Sequence, residues 1–502
     1  MPRRFALALT LAAALAPAAL LSPAARAQTL LARFDTLVTR FELPNGMTFL
    51  VVPRRDAPVV SFFTYADVGS VDEPIGQSGV AHMFEHMAFK GTTTIGTTDL
   101  PAELAAMARE DSAFARYRDA REARAPESAQ ALDALRTAFE AERDTAKSFV
   151  EDAAFDRLLD RNGAVGLNAF TSADRTGYFY SLPANKTELW FATESDRFLR
   201  PVLREFYQER DVVAEERRLR TDSRPTGRLF EDFLTTAFKA HPYGRPTIGY
   251  ASDLDALSRD EARAFFADHY SVSNLTVAIV GDVDPADVQR LAAQYFGAAP
   301  AGPATRRIPT VEPAQGGERR VTLLDRSQPT VLMGFHRPAG SDADDAVYAV
   351  LSDVLDTGRT SRFYRALVET RRAVGTAVYE AFPGEKYPSL FVVLAVPAPG
   401  VDPDSVEADV SRELARVAAD GVTEEELARA RTRTRAGLVS ALADTDGLAA
   451  ALAEAEALGG GWRSLFRDID AVDAVTAGDV RRVAAATFTR ANRTVATLRT
   501  AE

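Results

Sequence analysis

The 502-residue sequence contains no cysteine. That absence excludes a disulfide scaffold, a thiol nucleophile and any cysteine-held zinc or iron–sulfur centre, so a metal would have to be held by histidine and carboxylate. Histidine is itself scarce, with five in the chain. No uninterrupted apolar run reaches the roughly 20 residues that a membrane-spanning helix needs. The longest candidate, Phe5 to Leu21, is broken by Pro17. Positive charge is also short: 59 Lys and Arg stand against 71 Asp and Glu, a net charge of −12. A chain this acidic does not bind nucleic acid through its overall charge. What remains is an ordinary globular composition, 46% hydrophobic and 26% charged. At roughly 150 residues per domain, the length suits about three domains or two large ones.

The first 27 residues read as a secretory signal. Arg3 and Arg4 precede the apolar run, and Ala25-Arg26-Ala27 supplies small residues at a cleavage position. Two basic residues make an ordinary n-region and no strong twin-arginine signal. Cutting after Ala27 removes three Arg and no acid, leaving 56 basic against 71 acidic residues, a net of −15. With no Cys at the cut, lipoprotein anchoring is excluded, and the expectation is an exported protein with no membrane span.

An internal echo organises the rest. Leu257-Ser258-Arg259-Asp260-Glu261 leads through a helix-like stretch to Ser273-Asn274-Leu275-Thr276-Val277. Far downstream, Val475-Thr476-Ala477-Gly478-Asp479 leads in the same way to Ala491-Asn492-Arg493-Thr494-Val495, with both parts displaced by an equal offset. Each copy is a Ser/Thr-capped amphipathic helix, a polar turn and a β-rich run. The expected fold class is therefore α+β, in two similar halves, each a mostly antiparallel sheet packed with helices. Early strands at 48–52 and 59–65 find a looser match at 321–324 and 330–335. Between the halves lies a stretch rich in Ala, Pro and Gly, 297–317, that reads as an extended linker. The expected domains are 28–298 and 319–502, joined by 299–318. One segment breaks the symmetry: 101–161, rich in Ala, Glu, Asp and Arg, reads as a helical hairpin turning near Pro126. Its charge pattern suggests a solvated insertion, with a gate over an active site as the sharper alternative.

The chemistry concentrates at His82-Met83-Phe84-Glu85-His86. At 100° per residue, Val80, Met83, Phe84 and Met87 share one helix face, while His82, Glu85, His86 and Phe89 share the opposite one. Two His at i and i+4 stand one turn apart, close enough for both imidazoles to reach one zinc ion at about 2.0–2.1 Å. Glu85 beside them is free to act as a base. The plainer alternative is a pair of surface His that cap a helix or pair with carboxylates.

A third protein ligand that leaves one position open has to come from the carboxylates. In Glu209-Arg210-Asp211-Val212-Val213-Ala214-Glu215-Glu216-Arg217, helical spacing puts Glu209, Val212, Val213 and Glu216 on one face and turns Glu215 and Arg217 away. An unpaired buried carboxylate is costly, so this face makes sense if Glu216 binds metal and Glu209 accepts a hydrogen bond from a ligating His. A salt-bridged surface helix is the competing view.

Together these motifs resemble the pitrilysin/insulinase family of inverted-motif zinc peptidases: His-x-x-Glu-His, Phe89-Lys90-Gly91-Thr92, Asn168-Ala169-Phe170-Thr171-Ser172, then Glu209 to Glu216. His241-Pro242-Tyr243-Gly244 and Asn274 to Asp282 extend the match over nearly the whole mature chain. The resemblance implies a bacterial processing-peptidase-like endopeptidase with one zinc ion per chain on His82, His86 and Glu216. It makes Glu85 the general base and Glu209 the supporting carboxylate. It also implies that Asn168, Ala169 and Phe170 lie on an exposed sheet edge where an extended peptide adds as a strand. The Gram-negative periplasm is the compartment suggested by analogy.

Two departures qualify the likeness. The gap from His86 to Glu216 exceeds the family's usual spacing, and 101–161 accounts for the excess. Moreover, Leu367 to Thr376 offers no Arg and Tyr in register to grip substrate carbonyls; Arg362 and Tyr364 belong to a helix instead. A second similar chain supplying that clamp, in a heterodimer, or else a homodimer, is the implied assembly. A non-catalytic scaffold or peptide-binding subunit of the same fold is the alternative function. Gly459-Gly460-Gly461 lacks the preceding strand and following Lys-Ser/Thr of a phosphate loop and needs only a helix-to-helix turn.

Overall fold

A computed structural model describes residues 31–32, 34–124, 127–303, 307–458 and 460–501. The expected signal segment and the turn at Pro126 lie outside the described residues.

The first half runs β1 (Thr39–Glu42), β2 (Thr48–Pro53), β3 (Val59–Ala66), α1 (Val80–Met87), α2 (Leu100–Glu122), α3 (Ala129–Lys147), α4 (Ala154–Arg161), β4 (Val165–Thr171) and β5 (Thr176–Pro183). It continues through α5 (Thr187–Leu199), α6 (Phe206–Arg217), α7 (Pro225–Ala237), α8 (Ala251–Ala256), α9 (Arg259–His269), β6 (Leu275–Gly281) and α10 (Pro285–Phe296). The second half comprises β7 (Arg319–Asp325), β8 (Thr330–Arg337), α11 (Asp345–Asp356), β9 (Ala373–Phe382) and β10 (Ser389–Pro397). Five helices follow, α12 (Pro403–Asp420), α13 (Glu424–Ala441), α14 (Thr445–Ala457), α15 (Ser464–Ala474) and α16 (Ala477–Thr487), before β11 (Arg493–Thr500).

The two sheets have one plan. Strand order is β1-β2-β6-β3-β5-β4 in the first and β7-β11-β8-β10-β9 in the second. In each, one pair is parallel (β2 with β6, β7 with β11) and the remaining pairs are antiparallel. Without β1, the orders superimpose strand for strand, so the loose early-strand correspondence holds. The internal echo has a physical basis. Ser258 and Glu261 form a capping box on α9, and Thr476 and Asp479 form one on α16. Asn274 donates to the carbonyls of Asp67 and His269, and Asn492 to those of His336 and Thr487, fixing the helix-to-strand turn in both copies.

Each half also covers the other. Leu229 and Phe233 of α7 pack on Leu332, Leu390 and Leu498 of the second sheet. Leu448 and Leu452 of α14 pack on Leu50, Tyr65 and Val280 of the first. The approach is close: a Cβ at Gly334 in β8 would sit 2.4 Å from the Phe233 ring. With α1 on its other face, the first sheet is buried on both sides, which explains the unbroken apolar run of β2.

The insertion differs from the solvated hairpin expected. Helices α2 and α3 do pair, but α4 is a separate short helix, and Glu103, Met107, Glu110 and Phe114 of α2 are buried. Glu103 binds Arg204 at 2.7 Å with both side chains fully buried. Glu110 and Asp111 bind Arg259, and Asp111 also accepts from Tyr207. Arg210 lies 4.7 Å over the Phe114 ring. The acids that suggested solvation are ion-paired with Arg204, just before α6, and with Arg259 of α9, and Asp111 also holds Tyr207 of α6, so the hairpin braces α6 from behind. Among the described residues, no single helix is long and apolar enough to cross a membrane.

Candidate metal centre

The site is built on the first turns of α1. Gly79 caps the helix with φ of 91°, and a Cβ there would meet the Ile248 carbonyl at 2.7 Å. The freed amides of Gly79 and Ala81 donate to the Glu73 carboxyl, each at 3.0 Å. Burial pushes that carboxyl up to about 8, against the pull of both amides. Val80, Met83, Phe84 and Met87 are buried in the core, as the helical stripe requires. The helix ends at Met87, so Phe89 leaves the polar face and packs against Phe155 and Tyr178.

On the opposite face, His82 and His86 stand with ring centroids 5.0 Å apart. Glu216 reaches them from α6: its Oε2 lies 3.8 Å from Nε2 of His82 and 3.5 Å from Nε2 of His86. One ligand atom from each residue falls within 4.8 Å of the others. Two imidazole nitrogens aimed at one carboxylate oxygen, beyond good hydrogen-bonding range, suit a bridging cation. Donors about 2.0–2.1 Å from a tetrahedral ion sit roughly 3.3–3.4 Å from one another. The donor set, two imidazoles and a carboxylate with no thiolate, fits zinc. Burial, aided by the charge of His86, lowers His82 to about 3, which keeps that ring neutral and able to ligate.

Supporting groups surround the trio. Nδ1 of His86 lies 3.3 Å from Glu209, whose other oxygen pairs with Lys90. Burial opposes a charge on His86, but the hydrogen bond and charge of Glu209 outweigh it and lift its pKa. Burial likewise opposes ionisation of Glu209, yet His86 and Lys90 hold it below the usual carboxylate range. Glu85 accepts a 2.6 Å hydrogen bond from the hydroxyl of Thr171 at the end of β4. Burial raises the Glu85 pKa, offset in part by that hydroxyl. Oε1 of Glu216 pairs with Arg220 at 2.6 Å. Asn168, Ala169 and Phe170 lie on β4, the edge strand of its sheet, paired on one side with β5. Asn168 is exposed, while Phe170 turns to Phe63 and Phe179 on the far face.

Within α6, Glu209, Val213 and Glu216 share the inward face, but Val212 is 49% exposed. Arg217, expected to face away, is buried and donates to Glu231 and to the Gly249 carbonyl. Thr171, Lys90 and Arg220 are supporting groups that the sequence does not single out, although Lys90 follows His86 and Arg220 follows Glu216 at a four-residue spacing. The Phe-Lys-Gly-Thr motif also gains a reason. Arg204 donates to the carbonyls of Lys90, Thr92 and Ile95, and a Cβ on Gly91 would lie 2.5 Å from its guanidinium. Arg362 serves Glu426 and the Gly421 carbonyl, a structural role.

Comparison with known proteins finds relatives along most of the chain. An uncharacterized zinc protease of Mycobacterium leprae is 28% identical over 459 residues, covering 89% of this chain and 88% of its own. The zinc protease PqqE of Helicobacter pylori is 27% identical over 422 residues, 82% of each chain. The crystal structure of a protease from Helicobacter pylori matches with a TM-score of 0.75 at 24% identity, over 92% of this chain and 99% of its own. The periplasmic protease PqqL of Escherichia coli matches at 0.68 and 18% identity, over 93% of this chain but 48% of its own. Residues 50–122 and 144–250 match the family described as "Insulinase (Peptidase family M16)", and 256–434 match its "Peptidase M16 inactive domain". The two-sheet fold has its counterpart in those solved structures, and the chain belongs to the M16 insulinase family of peptidases.

Proposed function

We propose that this chain is an exported zinc-dependent endopeptidase that hydrolyses peptide bonds of extended peptides or unfolded segments. One zinc ion per chain would be held by His82, His86 and Glu216. The observation that carries the reading is the convergence of both imidazole Nε2 atoms on one oxygen of Glu216, next to a carboxylate, Glu85, that is itself oriented by Thr171. When bound, zinc supplies polarisation of a carbonyl oxygen and acidification of water at near-neutral pH.

The chain's own groups do the rest. Glu85 takes the proton of the attacking water and passes it to the leaving amine. Thr171 fixes the direction of the Glu85 carboxylate. Glu209 accepts from Nδ1 of His86 and so sets its tautomer and ring angle. The free edge of β4 at Asn168, Ala169 and Phe170 offers main-chain donors and acceptors to a peptide laid alongside as a strand.

The names of the relatives, zinc proteases, support both metal and reaction. Export to the periplasm is supported by the pattern of residues 1–27 and by the periplasmic PqqL, whose chain is about twice as long. That length also supports pairing with a second similar chain, as a heterodimer or else a homodimer. The domains are 28–298 and 319–502, with 299–318 between them. The competing reading, a peptide-binding scaffold, draws on the "inactive domain" description matched by residues 256–434; the intact trio and Glu85 weigh against it.

Metal analysis with a peptide-cleavage assay tests the proposal. Glu85→Gln is expected to keep one zinc per chain while kcat/KM falls by about 10²–10⁴ or more. Full activity in that variant, or a wild-type protein that binds no zinc, overturns it.

A further inference from the structure

A groove of about 610 Å3 opens beside Glu216, and its lining includes Val212, Leu219, Arg220 and Arg224. It lies along α6 and the π-helical turn Arg218–Asp222 that follows, whereas β4 reaches the site through Thr171 and Glu85. Two features set it apart from ordinary surface. Val212 and Leu219 are 49% and 54% exposed, aliphatic side chains left bare next to a ligating carboxylate. The three acids that also line it are already engaged: Asp211 pairs with Arg143 at 3.2 Å, Glu215 with Arg218 at 2.5 Å, and Glu216 divides its oxygens between the imidazoles and Arg220. Arg224 is exposed and, among the described residues, makes no ion pair. In a chain of net charge −12, the groove therefore presents the unpaired guanidinium of Arg224, beside Arg220 on Glu216, next to two exposed aliphatic side chains.

We propose that this groove selects the substrate: it takes a peptide segment flanking the scissile bond that carries a carboxylate next to an aliphatic side chain. The assignment rests on the peptidase reading and gives it a substrate class. A guanidinium fork matches a carboxylate in shape and charge, while a basic residue at the same place meets like charge and is rejected. The aliphatic neighbour covers Val212 and Leu219. The carboxylate is either an acidic side chain or the peptide's own C-terminus, since both offer the same two oxygens.

The experiment uses peptides identical except at one position, stepped along both sides of the cleaved bond as Glu, Gln or Lys, each with free and amidated C-termini. At one position Glu is expected to exceed Gln in kcat/KM by about tenfold, the scale of a partly exposed charged hydrogen bond, with Lys lowest. Arg224→Glu, tolerated at the N-terminus of α7 where an acid suits the helix dipole, should invert that order. Leu219→Ser should erase the advantage of a neighbouring Leu. Loss of the preference on amidation alone assigns the carboxylate to the chain end and keeps the groove. Fluorescence anisotropy with the Glu85→Gln variant reads the same ranking in Kd without turnover. No cleavage of any peptide by the wild type, with the charge ranking preserved in Kd, sinks the peptidase reading alone. Identical rankings for wild type and Arg224→Glu in both assays overturn the groove assignment.

Discussion

The two halves put the same pair of helices in the same place and join them differently. α11 follows β8 as α1 follows β3, and α13 begins as far after α6 as α16 begins after α9. Where α1 and α6 meet through His82, His86 and Glu216, α11 and α13 meet through Asp353 and Arg433, bonded at 2.9 Å, with Thr360 completing the contact at 3.1 Å. At that same offset, Leu427 stands in the place of Glu209 and Thr434 in the place of Glu216. The space left there is about 10 Å3, room for a single water at most, against the wide groove next to Glu216. An ion pair suffices to hold two helices together. Chemistry needs donors that converge without satisfying one another, and open space beside them.

That contrast can be broken or sharpened by substitution. The largest effect belongs to the trio: Glu216→Ala should empty the chain of zinc and abolish cleavage, read by metal analysis alongside turnover. Next is the brace behind α6. Glu103→Ala strands the fully buried Arg204, which should cost about 3–5 kcal/mol in urea unfolding. The second-half link should matter less. Asp353→Asn breaks a partly exposed pair, so a loss of about 1 kcal/mol with zinc content unchanged is expected; loss of zinc would show that the halves are coupled more tightly than their packing implies. The smallest effect concerns the cap of α1. Between its ordinary value of 4.5 and about 8, Glu73 keeps in the folded chain a proton that the unfolded chain has shed. Its stabilising contribution is therefore full below about 4.5 and declines as pH rises toward 8. Glu73→Gln should flatten that slope, measured as melting temperature from pH 5 to 8 in chelator.

Much of this is legible in the sequence where local rules and global packing agree. The capping boxes at Ser258 and Thr476, the apolar stripe of α1 and the strand runs at 48–52 and 330–335 each follow a period or a cap that the fold preserves. The insertion misleads because surface and buried acids look alike in sequence: Glu103 and Glu110 are inside only because Arg204 and Arg259, far along the chain, neutralise them. Arg217 misleads for the same reason, its partner Glu231 lying on the next helix. Thr171 is visible as part of a motif, but its bond to Glu85 requires knowing that β4 runs beside α1. Long-range partnership is what a single sequence withholds.

The exchanged helices α7 and α14 carry a further consequence for anyone who would divide this molecule. Cutting at the linker would strip each sheet of a lid that the other fragment owns, leaving Leu332 and Leu390 bare on one piece and Leu50 and Val280 on the other. Such fragments should stick to each other, or to themselves, before either behaves as an independent protein.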